Sequence, residues 1–386
     1  MKPLLLFVLL LAVLTLPAQA TKHRGLWFWG EGDSGSMWGS EYIVGTPAQE
    51  NATIAFFNAQ SIKRVYGSYG VRPFSEDSVI AAWNVKLHAA GIQSQSLMSG
   101  TTTVYPAGQA NLLTNITVRL LNFNNAIGRT AAEKFDALHL DIEPHQLPEW
   151  DTGTPADKRN LLLLLRDTFV AVRAHFVAAG LPSFPVYADI PVTWEKLPMD
   201  GGSIGWLSAA DRNQWYVDIG VPLTGVTLMA FYRSTFSNID GSVAWERANT
   251  PGAVVRTGVA VDIGPGLTWT SVPDFNNILS ATEAAYGPAG AVDIESYREW
   301  RETLAALPLI PIAAAFKKSP LAPPGTAELT FDAEPSWKYV IYYTVDLCAW
   351  QEVRRMEVSA PGAVSVPVDL RQPRGFWQVF RFQELE

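Results

Sequence analysis

The chain has 386 residues, a single cysteine (Cys348), and a formal net charge of −8 from 29 Lys and Arg against 37 Asp and Glu. This acidic balance argues against a partner with a phosphate backbone, so we expect no nucleic-acid ligand. One cysteine excludes an internal disulfide, so an exported chain of this composition must be stabilised by its core.

Residues 1–20 have the composition of a secretory signal peptide. Lys2 supplies a positive start, residues 4–16 are almost entirely apolar, and Ala18-Gln19-Ala20 places small residues at a cleavage site. The apolar run is short for a bilayer span, and no later stretch is long and apolar enough to be one. We expect a secreted or periplasmic protein with no integral membrane segment after cleavage, and a retained anchor is the alternative.

The sequence then alternates between strand and helix patterns. Strands are predicted at 24–29, 62–69, 92–99, 135–143, 184–190, 225–232, 254–262 and 289–295. Helices are predicted at 46–61, 75–90, 109–128, 154–179, 208–217, 238–248, 272–286 and 297–307. Strands that alternate with helices in one span of this length predict a (β/α)8 TIM barrel over residues 21–307.

The C-terminal part has a different composition. Five prolines between positions 308 and 324 predict a Pro-rich linker. Short strands are then predicted at 327–331, 338–344, 352–358, 363–368 and 376–382. Residues 325–386 are therefore expected to form a small β-sandwich-like domain. A structural role is the preferred interpretation, and binding of glycan or cell-surface material is the alternative.

Strand four carries the residues on which the functional prediction depends. Apolar side chains alternate with His139, Asp141 and Glu143, and Pro144 follows. If the apolar face lies under helices, the polar face points into the barrel. Its two acids then lie at the carboxyl end of a strand, where barrel enzymes place their chemistry. An antiparallel strand with a solvated polar face is the alternative, and the surrounding β/α alternation argues against it.

Other predicted strands bring further acids to the same rim. Asp189 shares a face with Tyr187, Asp262 ends strand seven, and Asp293 and Glu295 share a face of strand eight. Six acids at one rim cannot all be ionised at low cost, and like charges raise at least one pKa, which provides a proton donor.

Most glycoside hydrolases use two carboxyl groups that flank the scissile glycosidic bond. Glu143 is the candidate acid because it is the outermost, and Asp141 is placed to modulate its charge. The second charge is expected from Asp189, Asp262 or Glu295. Structural roles remain open for three of these acids: a buried carboxylate for Asp141, a turn residue for Asp189, and the N-terminal acid of the last helix for Glu295.

The motif Asp136-x-x-His139-x-Asp141-x-Glu143 resembles the Asp-x-x-Asp-x-Asp-x-Glu strand of family 18 chitinase-like glycosidases, with His139 in place of the second Asp. The resemblance implies that Glu143 is the acid and that Asp141 orients a substrate N-acetyl group, which acts as the nucleophile. It covers the barrel only, and it supports a glycosidase-like barrel better than it supports chitin as substrate. Polygalactosaminidase-like and other secreted barrels fit about as well.

Two other positions match the same family less well. Residues 228–232 are similar to its Met-x-Tyr on strand six, but Phe231 takes the Tyr position and Tyr232 comes one residue late. Unless a bulge shifts the register, the hydroxyl that would meet the N-acetyl group is missing. Trp300 is similar to the family's Trp near strand eight, but it follows Glu295 by five residues, which places it on a helix.

Substrate contacts are expected from residues at strand ends and in the loops that follow. The candidates are Trp27, Trp29, His139, His145, Asp189, Tyr232, Arg233, Asp262 and Glu295. Aromatic rings suit the faces of sugars, and Tyr69, Trp194 and Trp269 are further candidate platforms, although ordinary packing is the preferred interpretation of each ring, Trp27 and Trp29 included. Arg233 could meet the carboxylate of an acidic sugar or form a salt bridge to Asp189 or Asp262.

The sequence therefore predicts an exported glycoside hydrolase-like protein that uses carboxylate acid/base catalysis on a poly- or oligosaccharide. We expect a monomer with a carbohydrate ligand and no cofactor. A barrel that binds glycan without cutting it is one alternative. A metal-dependent hydrolase is another, since His139, Asp141, Glu143 and His145 alternate along one strand. Neighbouring positions on one strand rarely converge on one ion, so we predict no metal.

Overall fold

The computed structural model describes residues 23–30, 36–264, 266–287, 292–306, 310–312, 314–317, 326–333, 338–344, 351–369 and 376–382. A closed parallel barrel forms from consecutive strands, each paired with the next, and the last paired with the first. The strands are β1 (Arg24–Phe28), β2 (Ile62–Gly67), β3 (Gln93–Ser99), β4 (Ala137–Asp141), β5 (Val186–Pro191), β6 (Gly225–Met229), β7 (Val254–Ala260) and β8 (Val292–Glu295). The predicted TIM barrel is confirmed.

Helices occupy the connections between these strands. They are α1 (Ser40–Ile43), α2 (Pro47–Ala59), α3 (Arg72–Ser75), α4 (Asp77–Ala89), α5 (Pro106–Asn115), α6 (Asn122–Asn124), α7 (Pro148–Thr152), α8 (Pro155–Ala178), α9 (Ala209–Gly220), α10 (Phe236–Asn249), α11 (Val272–Tyr286) and α12 (Tyr297–Ala306). A π-helical turn, Ile116–Leu121, joins α5 to α6.

The start of several long helices is set by a hydroxyl residue followed three positions later by an Asp. Thr154 accepts a hydrogen bond from the backbone N–H of Asp157, whose carboxylate bonds back to Thr154, and this pair begins α8. Ser208 caps α9 and Ser271 caps α11 through the same kind of contact. Each cap satisfies an N–H that the first helical turn leaves free, so it fixes where the preceding loop ends.

The main hydrophobic core lies between the outer faces of the strands and the helices. On β4, Leu138 and Leu140 have no exposed surface and belong to this core, as does Ile142 just beyond the strand. A smaller apolar cluster inside the barrel contains Trp27, Tyr66 and Leu97. Most other inward positions near the mouth are polar, so the candidate functional groups lie inside the barrel.

The C-terminal strands form two antiparallel sheets. The strands are β9 (Ile310–Ile312), β10 (Ala315–Lys317), β11 (Thr326–Ala333), β12 (Lys338–Thr344), β13 (Gln351–Glu357), β14 (Gly362–Asp369) and β15 (Phe376–Phe382). Their orders are β10-β11-β14 and β13-β12-β15-β9, and the five strands predicted after residue 325 are all confirmed. They enclose a small core of their own around Phe331, Tyr339 and Ile341.

Two of these strands, β9 and β10, lie within the segment predicted to be a linker. Pro311 is at the centre of β9, which is the last strand of its sheet and pairs only with β15 among the described strands. An outer strand tolerates proline because one of its edges needs no N–H donor. Proline content therefore does not exclude short strands within the segment.

The structure differs from the predictions in three other places. The β4 ladder ends at Asp141 rather than Glu143, and Pro144 begins a short 3₁₀ turn. The helix predicted at 75–90 corresponds to α4, and a separate short helix, α3, precedes it. The helix predicted at 109–128 begins earlier, because Pro106 suits a first helical turn, and ends at Asn124.

The predicted signal peptide at residues 1–20 and Cys348 lie outside the described residues. In the portion of the chain that is described, no helix combines the length and the apolar character that a membrane crossing requires.

Candidate active site

Hydrogen bonds that cross the barrel show which side chains point inward. Nε1 of Trp27 on β1 donates to Oδ2 of Asp189 on β5 at 3.1 Å, although these strands are not neighbours. Asp293 on β8 accepts from Arg64 on β2 at 3.0 Å and from Thr227 on β6 at 2.7 Å. The alternation predicted for β4, β5 and β8 therefore has the expected sense, with acids inside and apolar residues outside.

His139 and Asp189 form a buried pair beneath the mouth. Nε2 of His139 lies 2.8 Å from Oδ1 of Asp189, and both side chains are fully buried. Nδ1 of His139 lies 3.1 Å from Oε1 of Gln95, whose amide nitrogen donates to Gln93. The ring of Tyr66 stacks on His139 with the ring centroids 3.9 Å apart. The imidazole is thus held on both nitrogens and on one face.

These contacts determine the protonation of the pair. Because Oε1 of Gln95 accepts from Nδ1, a neutral His139 has no proton on Nε2, and Asp189 must supply the proton between them. Burial lowers the pKa of His139 to about 3 and raises the pKa of Asp189 well above its usual value. Both shifts favour a neutral imidazole bonded to a protonated carboxyl. The pair therefore carries no net charge under Asp141 at neutral pH.

A second buried cluster lies deeper in the barrel, around Asp293. Burial acts to raise the pKa of Asp293, but the guanidinium groups of Arg64 and Arg256 outweigh it and the pKa is lowered. Arg256 also lies over the ring of Tyr187, 4.5 Å from its centroid. This carboxylate is ionised and neutralised within the barrel, so it belongs to the floor and not to the reacting group.

Asp141 ends β4 directly above the neutral pair. Its pKa is raised well above the usual value, first by burial and then by the charges of neighbouring carboxylates, Glu143 and Glu295 among them. Oδ1 of Asp141 is buried and has no hydrogen-bond partner among the described residues. A buried, unpaired oxygen with a raised pKa favours the protonated form, which can donate to a neighbouring carboxylate.

Glu143 lies just beyond β4, with about one fifth of its side chain exposed. Burial raises its pKa, and a hydrogen bond donated by the amide of Gln146 opposes the rise. Nε2 of His145 lies 3.8 Å from Oε1 of Glu143, and burial lowers the pKa of this histidine. Glu143 is therefore a partly exposed carboxyl that retains its proton to higher pH than an ordinary glutamate.

Glu295, at the end of β8, is the candidate second carboxylate that, among the described residues, is not already bonded to another side chain of the barrel interior. Burial raises its pKa to about 7, and the charges of Glu299 and Glu143 add to the rise, while Arg298 opposes it. Of the other two candidates, Asp189 is already bonded to His139. Asp262 accepts from the backbone and hydroxyl of Thr268 at 2.9 and 2.6 Å, which holds the loop after β7.

The aromatic candidates occupy different depths. Four of these rings are at most 4% exposed and pack their faces on protein, in agreement with the preferred interpretation: Trp27, Tyr69, Trp194 and Trp269. The candidate role of Trp27 as a substrate contact is therefore wrong. The loops that follow the strands cover these positions, which a pattern of strand ends does not reveal. Trp29 is partly exposed. His145 packs edge-on against Trp150 and Trp194.

The loop after β6 places one ring inside the barrel and the next outside it. Phe231 packs edge-on against Trp27, with centroids 6.0 Å apart. Tyr232 has a left-handed backbone, with φ of 57°, and is 65% exposed. Burial and the charges of Glu295 and Asp262 raise the pKa of Tyr232, so its hydroxyl lies near the rim. Arg233 donates to the carbonyl of Phe231 at 3.0 Å.

No bulge restores the family register at strand six, so the inward ring there is Phe231 and has no hydroxyl.

Trp300 lies on α12, fully buried against Phe56 and Phe275 on the outer side of the barrel. The match of Trp300 to the family's tryptophan therefore fails. A left-handed backbone at a non-glycine residue such as Tyr232 is uncommon and concentrates at functional sites.

Sequence reasoning missed several residues that support the site. Gln95, Tyr66, Arg64 and Arg256 all point inward and hold His139 or Asp293. The signal was weak, because Gln95 lies between two serines and Arg64 follows Lys63, so these positions do not alternate cleanly with apolar neighbours as His139 does. Gln146, which bonds to Glu143, follows Pro144 in a turn and carries no such signal.

Taken together, Asp141, Glu143 and Glu295 form a partly buried group of carboxyls above a neutral floor. Such a group keeps a proton on at least one member near neutral pH and an ionised oxygen on another, which is the requirement for paired acid and base work. Among the described residues, no group of three or more His, Cys, Asp or Glu is arranged to hold a metal ion.

No protein-family model and no curated protein matches the chain. Solved structures to which it is similar include a class V chitinase mutant from Cycas revoluta in complex with (GlcNAc)3, with 11% identity, a TM-score of 0.40, and coverage of 72% of this chain and 95% of that one. Catalytic domain 2 of the group II chitinase of Ostrinia furnacalis is 12% identical, with a TM-score of 0.37 and coverage of 64% and 67%.

D-psicose 3-epimerase from Clostridium cellulolyticum H10, with D-tagatose, is 13% identical, with a TM-score of 0.40 and coverage of 74% and 92%. Chitinases, the class that the strand-four motif resembles, are thus among these structures alongside an enzyme of other chemistry. Likenesses at these TM-scores do not decide a function, and the barrel rests on its own strand pairing.

Proposed function

We propose that this protein is a glycoside hydrolase in which Glu143 protonates the leaving oxygen of a glycosidic bond. The observation that carries the proposal is a cluster of three partly buried carboxyls at the ends of β4 and β8: burial raises the pKa of all three, and Glu143 raises that of Glu295 and of Asp141 further. Carboxyls that share protons in this way provide a donor and an ionised partner at the same pH.

The roles follow from exposure and contacts. Glu143 is the proton donor because it lies outermost on the catalytic strand and its pKa is raised. Glu295, whose pKa of about 7 leaves an ionised fraction at neutral pH, is the proposed second carboxylate, which stabilises positive charge at the anomeric carbon or attacks that carbon directly. Asp141 has an unpartnered oxygen, so it is free to bond to Glu143 or to a polar group of the sugar. The neutral His139–Asp189 pair supports Asp141 without adding a charge.

Export, a separate C-terminal module and a carbohydrate ligand are part of the same proposal. The composition of residues 1–20 supports export, and the separate core of the C-terminal strands supports a distinct β module after the barrel. A carbohydrate is the proposed ligand, bound at the mouth near Trp29, Tyr232 and Arg233. The protein is proposed to act as a monomer outside the cytoplasm.

The test is a panel of plant, microbial and animal glycans incubated with wild type and Glu143→Gln. We expect the variant to lose about 10²- to 10⁴-fold in turnover, because it retains the shape but not the proton. Glu149→Gln, on α7, removes a carboxylate nearby and should turn over at the wild-type rate. Equal turnover by wild type and Glu143→Gln would refute the assignment.

A barrel that binds glycan without cutting it is the second candidate, and one observation favours it. Phe231 places an apolar ring against Trp27 where the resembled family has a tyrosine hydroxyl. A binding protein would show saturable glycan binding by calorimetry, equal in wild type and Glu143→Gln, with no product from either. Product formation by the wild type alone would exclude it.

A further inference from the structure

A groove of about 300 Å³ lies beside the barrel mouth, between the carboxyl ends of β2 and β3 and helix α5. Its lining includes Ser96, Ser99, Asn111, Asn115 and Arg119. The groove adjoins the catalytic strand, because Ser99 pairs with Asp141 in the β3–β4 register and the N–H of Gly100 donates to the carbonyl of Asp141 at 3.2 Å. The groove therefore begins one strand away from the strand that carries Asp141 and Glu143.

The lining of the groove is polar and carries one charge. Hydroxyl and amide side chains predominate, no Asp or Glu is among the lining residues, and Arg119 is the cation. In the part of the chain that the structure describes, the side chains of Ser99, Asn111 and Asn115 make no hydrogen bond with protein. These groups are available to the hydroxyls of a bound sugar.

Arg119 lines the groove and forms no ion pair with a carboxylate of the described residues. It lies in the π-helical turn after α5, and one guanidinium nitrogen donates to the carbonyl of Gly70 across the groove at 3.2 Å. Among the described residues it has no carboxylate partner, unlike Arg72, Arg129 and Arg166. The remaining N–H groups form a planar fork of the kind that binds carboxylates in a bidentate manner.

The walls of the groove are fixed by close backbone contacts. A Cβ at Gly108 would lie 2.2 Å from the carbonyl oxygen of Thr102, so only glycine lets α5 approach this loop. Gly100 has a φ of 155°, and a Cβ there would lie 2.8 Å from Oγ1 of Thr103. The shape of the groove is therefore built into the fold and does not depend on one flexible side chain.

The charge of the groove contrasts with that of the mouth. An anionic sugar placed beside Asp141, Glu143 and Glu295 would add a like charge to carboxyls that already raise one another's pKa. One strand away, the same anion would meet Arg119 and no acid. We propose, on the basis of the proposed function, that the groove is a subsite for a sugar unit that carries a carboxylate, with Arg119 as its partner.

The test measures binding, so that it does not depend on turnover. Tetrasaccharides that carry one uronate beside neutral units, such as aldotetrauronic acid from glucuronoxylan, are compared with the same compounds after reduction of their carboxyls to alcohols, by calorimetry on Glu143→Gln. We expect at least one uronate to bind about tenfold more tightly than its reduced counterpart, because one charge-assisted hydrogen bond is lost. Adding Arg119→Gln should remove this difference and leave the reduced compound unchanged.

Two further variants separate the groove from general effects. Arg166→Gln, on the outer face of α8, removes the same charge elsewhere and should keep the tenfold preference. Asn111→Met, at an exposed position of the groove, should weaken native and reduced compounds together by filling the space. Equal binding of native and reduced compounds, or a preference that survives Arg119→Gln, would overturn the proposal. Cleavage of a neutral glycan that Glu143→Gln abolishes would meanwhile leave the proposed function intact.

Discussion

Oδ1 of Asp189 lies 2.8 Å from Nε2 of His139, and neither side chain has any exposed surface. Within the barrel this pair lies between the charged floor around Asp293 and the carboxyls of the mouth. Its neutrality determines how much negative charge Asp141 experiences from below. Several expected outcomes can be derived from the protonation of this pair and of the acids above it.

Asp189→Asn should be tolerated if Asp189 is protonated. The amide can donate to Nε2 of His139 and accept from Nε1 of Trp27, as the neutral carboxyl does. We expect urea unfolding near pH 6 to show a loss below about 1.5 kcal/mol, and Asp189→Leu to lose about 2 to 4 kcal/mol because both partners are left unpaired. An amide variant as unstable as the leucine variant would show that Asp189 is ionised.

The same pair predicts how stability varies with pH. The unfolded pKa values are 3.8 for Asp and 6.5 for His, whereas in the folded protein the pKa of His139 is about 3 and that of Asp189 is raised. Above pH 6.5 the unfolded histidine loses its proton while folded Asp189 keeps one, so stability falls as pH rises through the folded pKa of Asp189. Asp189→Asn should remove this fall, which thermal unfolding between about pH 6 and 9 would detect. An unchanged fall would contradict the assignment.

The acids of the mouth should titrate as a group. Burial, followed by the charges of Glu299 and Glu143, raises the pKa of Glu295 to about 7. Both Glu143→Gln and Glu299→Gln should therefore lower this pKa, and Arg298→Gln should raise it. The measurement is carboxyl ¹³C NMR of Glu295 across the pH range in each variant. A Glu295 resonance that titrates identically in wild type and Glu143→Gln would show that the two carboxyls do not interact.

Phe231→Tyr tests whether the absent hydroxyl limits the chemistry. The substitution adds a hydroxyl to the inward ring beside Trp27, at the position of the family's tyrosine. If an N-acetyl group is the nucleophile, turnover of N-acetylated glycans should rise about tenfold, the effect of one hydrogen bond of about 1.4 kcal/mol. Turnover of glycans without N-acetyl groups is the internal control and should not rise. An equal change for both classes would argue against N-acetyl participation.

Outside the mouth, a buried carboxyl on α10 should make stability depend on pH. Glu246 has no exposed surface, and burial, followed by the charge of Glu195, raises its pKa to about 8 from 4.5. A raised carboxyl pKa contributes stability at low pH that is lost as pH rises to the folded value, with a slope of up to about 1.4 kcal/mol per pH unit. Glu246→Gln should flatten the unfolding free energy between about pH 5 and 8.

The matched control is Asp167→Asn, because that side chain is 56% exposed and carries an ordinary surface charge. It should leave the slope as in the wild type. A slope that Glu246→Gln fails to change would place the titration elsewhere in the chain.

The sequence predicts which face of a strand a side chain occupies, but it does not predict how deeply that side chain is buried. Alternation on β4 and β5 correctly put His139 and Asp189 on the inner face. It could not tell that Trp27 and Asp189 are covered while Glu143 is partly exposed, because burial depends on how the loops close over the strands. The charge balance of the floor was also missed, since Arg64 and Arg256 meet Asp293 only after the barrel closes.

Pro311 has a consequence for how the protein behaves when concentrated. It occupies the centre of β9, a three-residue strand at the end of its sheet, and pairs across to Phe380. A proline offers no N–H to an incoming strand, and so short a strand presents little template. Along this border the sheet is poorly suited to recruit a second molecule, which protects the C-terminal module against growth by strand addition.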